Sequence, residues 1–177
     1  MTVADEHFAT ALRIASEGEL AEKHRSASEQ GTEEGDYTLI ISEIRNLQGS
    51  VAKRQGDFAQ ARQHYEESVR LVNLKGDRWR LTAALRNLAR LEFQLGNLNA
   101  AKEQFENIIA LCKEVDRKDM LYGCQFGLAE IELKLGNVDH ARMLAASARH
   151  GFEQLGLQRD LANATRFLND LAGASSR

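Results

Sequence analysis

Arg86 and Arg90 stand four residues apart in the segment KGDRWRLTAALRNLAR, which also carries Lys75, Arg78 and Arg80 against a single acid, Asp77. On a helix that spacing puts both guanidinium groups on one face. Two adjacent guanidinium groups suit a carboxylate, a phosphate or an acidic peptide, because each offers a planar fork of donors. The competing reading is intramolecular: the same arginines bridge to acids on neighbouring helices, such as Glu43 or Glu130. The sequence leaves both readings open.

Bond-making chemistry finds less support. The histidines are His7, His24, His64, His140 and His150, and none has a second ligand at metal spacing on its own face. Asp139 and His140 are adjacent, so on a helix they point about 100° apart and form no local relay. Phosphate-loop, nucleophile-elbow, zinc-protease and dinucleotide motifs are missing. Glu66 with Glu67, and Glu130 with Glu132, read as solvated helix faces. Cys112 shares a column with Val72 and Phe152, and Cys124 one with Ile44, Ala84 and Ala164. Both are expected to be reduced core thiols, although they fall on successive helices and a regulatory disulfide stays open. The reading is a protein that is not an enzyme, with no catalytic residue, no metal and no cofactor.

The elements that would position these residues follow from repetition. Gly56, Gly96 and Gly136 recur at a 40-residue interval, with Ala61, Ala101 and Ala141 five residues after each. Small residues at Gly49, Ala89 and Ala129 keep the same interval, as do the columns Ile41/Leu81/Leu121/Leu161 and Val51/Leu91/Ile131/Leu171. Tyr65 and Phe105 share a column whose third member is Ala145. Within each unit apolar residues recur at three and four, as in Leu81, Ala84, Leu85, Leu88, Leu91 and Leu95, the signature of one helical face. The Gly tolerates the left-handed backbone that ends a helix. The Asp or Asn after it is expected to cap the next helix. Each unit is then an antiparallel helix pair that must stack on its neighbours to bury a core.

These columns together resemble the tetratricopeptide repeat. The resemblance covers roughly residues 36–173 and implies an all-α, right-handed α-α superhelix. Two departures stand out: the interval is 40 residues where the family usually has 34, and no proline closes any repeat. The long form is similar to helical sensor arrays of bacterial transcription regulators and to bacterial peptide-pheromone receptors. The reading is one domain, with a degenerate repeat over 1–35, repeats over 36–75, 76–115 and 116–155, and a polar capping helix over 156–173. Gly76, Asp116 and Gly156 mark the second turn of each unit. Trp79, at the start of a first helix, is expected to fill space at the far end of its repeat.

In that family first helices line a groove, so the resemblance implies a binding surface. Stepping off the core face gives Glu43, Asn46, Ser50 and Lys53 in one unit. The next gives Ala83, Arg86, Arg90 and Phe93, with Asn87 beside them and placed as an Asn that bonds peptide backbone in peptide-binding members. Gly123, Phe126, Glu130 and Leu133 follow, and then Asn163, Arg166 and Asp170. A basic patch beside an apolar wall would hold an acidic, partly hydrophobic peptide or helix.

Global charge adds little. The net charge is -3, which argues against a nucleic-acid or anionic-membrane partner. Residues 1–36 hold nine acids against three bases. The acidic N-terminus does not resemble an export signal, and no stretch approaches a membrane span, so the expected location is the cytoplasm. The expected function is a non-catalytic protein- or peptide-binding scaffold. Alternatives are a sensor that changes curvature on binding a ligand or signal peptide, and a self-associating structural module.

Overall fold

The structure is a computed structural model that describes residues 37–174. The expected degenerate repeat over 1–35 lies outside the described residues. Those residues form seven α-helices and no strand: α1 (Thr38–Gln55), α2 (Phe58–Leu74), α3 (Arg78–Gln94), α4 (Leu98–Glu114), α5 (Lys118–Lys134), α6 (Val138–Gln154) and α7 (Gln158–Ala174). The all-α reading therefore holds. The chain divides into two compact units, one ending at Gly76 and one beginning at Asp77.

The expected helix-ending glycines sit where a left-handed backbone is required. Gly56, Gly96 and Gly136 have φ of 83°, 84° and 84°. The amide after each turn reaches back to a carbonyl in the last helical turn, as Asn97 N–H does to Glu92 O at 3.0 Å and Asn137 N–H to Glu132 O at 2.9 Å. Orphan carbonyls at the helix end are satisfied in this way. Asp116 adopts φ 49° without being glycine, as a short polar side chain allows.

Capping of the following helix is more selective than expected. Asp57 accepts from Gln60 N–H at 3.0 Å, and Asp77 accepts from Arg80 N–H at 2.8 Å. Asn97 and Asn137 do not cap. Their amides turn back instead and donate to Glu92 at 2.7 Å and Glu132 at 2.6 Å. These two carboxylates are buried, and a buried carboxylate needs donors more than an exposed helix end does. Glu132 is thus not on a solvated face. Its carboxylate also meets Lys102 Nζ at 2.8 Å and His140 Nδ1 at 3.3 Å.

In residues 37–76, α1 and α2 close around Tyr65, which is fully buried. Gly49 makes this possible, since a Cβ there would stand 2.6 Å from the Tyr65 ring. Ser68 Oγ donates to Ser42 O at 2.8 Å and ties the two helices further along.

In residues 77–174, successive helices from α3 to α7 pack on one another, and α3 also touches α5. Phe105, Ile108, Ala89, Leu128 and Ile131 form the main core with both cysteines. Ala148, Phe152 and Ala164 form a second cluster, flanked by Tyr122, Phe126 and Leu161.

Trp79 departs from its expected role. It is 52% exposed, and the Arg117 guanidinium lies over its ring at 3.6 Å from the centroid. Arg117 also donates to Trp79 O at 2.8 Å and Thr82 Oγ1 at 2.9 Å. A guanidinium has donors for both carbonyl and hydroxyl while its flat face stacks on indole, so it clamps the start of α3 from the α4–α5 turn.

Candidate functional site

A cleft of about 780 Å³ opens within residues 77–174, between α3, α5 and α7. Helical periodicity places it there. Residues three and four apart on α3 (Arg86, Arg90), on α5 (Gly123, Phe126, Glu130) and on α7 (Asn163, Arg166, Asp170) all face the same space.

The apolar part is aromatic. The Phe126 ring meets Phe152 edge-on at 6.5 Å and Phe167 at 5.5 Å, with interplanar angles of 73° and 77°. Such pairs contribute about 0.5–1.5 kcal/mol each beyond their buried area, which favours this arrangement of the rings.

The two arginines differ in state. Arg90 is ion-paired with Glu130, which realises the intramolecular alternative for this residue. Arg86 makes no ion pair or hydrogen bond among the described residues. Its guanidinium passes over Gly123, where a Cβ would stand 3.2 Å from a guanidinium nitrogen. Glycine at 123 therefore leaves the space that Arg86 uses. The cleft as a whole is not basic: Arg86, Arg90, Arg159 and Arg166 face Asp119, Glu130, Asp160 and Asp170.

Of the expected groove residues, the structure gathers Arg86, Arg90, Phe126, Glu130 and Arg166 around this cleft. Phe93 lies outside its lining, with Arg90 and Lys134 over its ring at 5.7 and 5.6 Å. Asn87 and Leu133 are half-buried and also lie outside the lining. Asn46, Ser50 and Lys53 belong to the first unit, where all three are half-buried. Ser50 Oγ is committed to Asn46 O and to the Tyr65 hydroxyl, each at 3.1 Å.

Sequence reasoning missed Asp119, Arg159 and Asp160 in the lining. One more helical step toward the N-terminus from Gly123 and Asn163 would have reached Asp119 and Arg159. It also missed Phe167, which shares a 40-residue column with Asn87 and Gly127. Phe152 arrives from a second helix, α6, and carried no signal in the first-helix stepping. Among the described residues no group of three or more His, Cys, Asp or Glu side chains is placed to hold a metal ion. No helix there is long and apolar enough to cross a membrane.

Comparison with known proteins agrees with this architecture. Residues 40–114 match the family model described as tetratricopeptide repeat. No curated protein matches the chain in sequence. Among solved structures, the crystal structure of BtubC (BKLC) from P. vanneervenii is similar with a TM-score of 0.74 at 20% identity, covering 99% of this chain and 68% of that one. The Rap conjugation gene regulator of the plasmid pLS20, in complex with the Phr* peptide, has a TM-score of 0.68 at 12% identity, covering 88% of this chain and 46% of that one. The TPR2AB domain of yeast Sti1, in complex with pHSP90, has a TM-score of 0.57 at 15% identity, covering 76% and 50%. The chain thus spans about half the length of the last two. Residues 40–114 are thus similar to tetratricopeptide repeats, and the chain has the all-α helical-repeat fold of these structures.

Proposed function

We propose that the chain is a non-catalytic scaffold that binds a peptide or protein segment in the α3–α5–α7 cleft. The observation that carries this reading is the pairing of an aromatic floor, Phe126 with Phe152 and Phe167, with Arg86 at its edge, unpaired among the described residues. An apolar side chain of the partner would cover the rings, and one carboxylate would meet Arg86 in a charge-assisted contact. The balanced charge of the lining makes a single carboxylate beside an apolar anchor a better match than a long acidic run. Arg166 and Asp170 on α7 would flank the bound segment.

The fold likeness to the Sti1 domain and the Rap regulator, each solved with a bound partner, supports the reading. The assignment of repeats to 36–75, 76–115 and 116–155, with 156–173 as a cap, belongs to the same proposal, as does a cytoplasmic location.

The test is selection from a random peptide display library on the immobilised full chain. Enriched peptides should share an apolar residue near an acid. Their binding should fall at least about tenfold with Arg86→Glu or Phe126→Ala, since losing one buried charge-assisted contact or an aromatic anchor costs about 1.5–3 kcal/mol. Enriched peptides that bind both variants as tightly as wild type would contradict it.

A further inference from the structure

The outer face of α1 has no part in the cleft reading. Tyr37, Ile40, Ile44, Leu47 and Val51 follow one another at three and four residues, which sets them in one apolar stripe along the helix. The stripe does not face α2. That contact is made by Ser42 and Gly49, through the Ser68 hydroxyl and the Tyr65 ring. At 3.6 residues per turn these two lie on the opposite side of the helix. Tyr37, Ile40 and Leu47 are 47%, 55% and 42% exposed, while Ile44 and Val51 are half-buried.

The corresponding stripe of α5 shows what such a face does in this chain. Met120, Cys124, Gly127 and Ile131 stand in the columns of Ile40, Ile44, Leu47 and Val51. Met120, Cys124 and Ile131 are buried in one cluster with Phe105, Ile108 and Cys112 of the preceding helix, α4. Gly127 lies against the Phe105 ring. This face of α5 is therefore the one that the preceding helix covers. α1 carries a bulkier apolar set there, and the chain before it is residues 1–36.

The match within those residues does not keep the strict 40-residue interval. That interval would bring Arg25, Ser28 and Thr32 to the stripe, from the columns of Phe105, Ile108 and Cys112. Polar side chains there would bury little apolar surface and lose hydration. The earlier stretch HFATALRIA sets Phe8, Ala11, Leu12 and Ala15 at three and four residues, an apolar face of the same period as the stripe. The 21 residues from Ser16 to Asp36 can span far more than the stripe, which is about 21 Å long. Charge agrees, since α1 ends in Lys53 and Arg54 and residues 1–36 hold nine acids against three bases.

We propose that the outer face of α1 is the docking site of the chain's own N-terminal segment, with Phe8 and Leu12 as its anchors. A second copy is the poorer occupant. A stable interface between chains takes about 20–30 residues from each side, and the stripe supplies five. A segment tethered to the helix it covers needs less area, because its effective concentration is on the order of millimolar. The docking stands whether or not the α3–α5–α7 cleft takes a partner.

The test is photo-crosslinking of the full chain with a benzophenone side chain in place of the exposed Ile40, followed by digestion and mass spectrometry. The expected product has the mass of one chain and joins position 40 to a fragment containing residues 8–15. Phe8→Asp combined with Leu12→Asp should lower its yield at least about tenfold, as two apolar anchors are lost. A product with the mass of two chains would assign the face to a second copy and overturn the proposal. So would the absence of any crosslink to residues 1–16, or a yield that the double variant leaves unchanged. The first readout uses the natural N-terminal segment, so a double variant that misfolds does not obscure it.

Discussion

The helix pair α3–α4 and the helix pair α5–α6 differ at the position that Phe105 fills. In the first, the large side chain comes from the second helix: Phe105 on α4 is fully buried against Ala89 of α3, in the same cluster. It also presses on Gly127 of α5, where a Cβ would stand 2.8 Å from its ring. In the second, the Phe105 column holds Ala145, and the aromatics come from both helices, Tyr122 and Phe126 on α5 and Phe152 on α6. Gly151 on α6 lies directly against the Tyr122 ring. At that contact large and small have changed sides. The exchange has a functional consequence, because the first helix is the one that faces the cleft. The aromatic on α5 is what puts Phe126 against Phe152 of α6 and Phe167 of α7.

The comparison can be broken most severely at Phe105. Phe105→Ala should cost about 3–5 kcal/mol in denaturant unfolding, since no other large ring fills that space. A loss under about 1 kcal/mol would show that the two repeats do not divide the work in this way. Gly151→Ala should cost about 1–3 kcal/mol by the same measurement, because the added methyl must displace a ring already packed edge-on to Phe152. An unchanged midpoint would mean Tyr122 moves freely.

Glu132 sharpens the comparison at the turn. Burial pushes its carboxyl up, but Lys102, Asn137 and His140 together bring the net value below the ordinary 4.5. A lowered folded-state pKa gives stability that is present above the unfolded value and lost as pH falls through the folded one. Wild-type stability should therefore decline below about pH 4.5 more steeply than that of Glu132→Gln. Parallel acid profiles would remove Glu132 from the account. The smallest stability effect is expected at the cleft arginines. Arg90→Gln should cost at most about 1 kcal/mol, since its pair with Glu130 is partly exposed, and Arg86→Gln should leave the midpoint within about 0.5 kcal/mol of wild type.

Much of this molecule could be read in the sequence because the determinants are local. Gly56, Gly96 and Gly136 announce helix ends, and the three-and-four spacing of Leu81 to Leu95 announces a face. The same stepping placed Arg86, Phe126 and Arg166 together. What escaped depends on partners remote in sequence. The burial of Glu132 needs Lys102 from one helix and His140 from another. The exposure of Trp79 follows from Arg117, which reaches it from another turn. The repeated Glu and Asn in EFQLGN and ELKLGN, five residues apart both times, was a visible signal for buried carboxylates. It was legible only if the Asn was not reserved for capping. Arg90 and Arg86 looked alike because nothing local distinguishes them, whereas Glu130 and Gly123 across the cleft do.

The central claim is that a partner segment lies across α3, α5 and α7. Hydrogen–deuterium exchange on the full chain, with and without a display-selected peptide, tests it most directly. The account predicts slower exchange in fragments spanning residues 119–130 and 157–170, with Arg86→Glu abolishing the difference. Slowing confined to α4 and α6, or to residues 37–76, would contradict it.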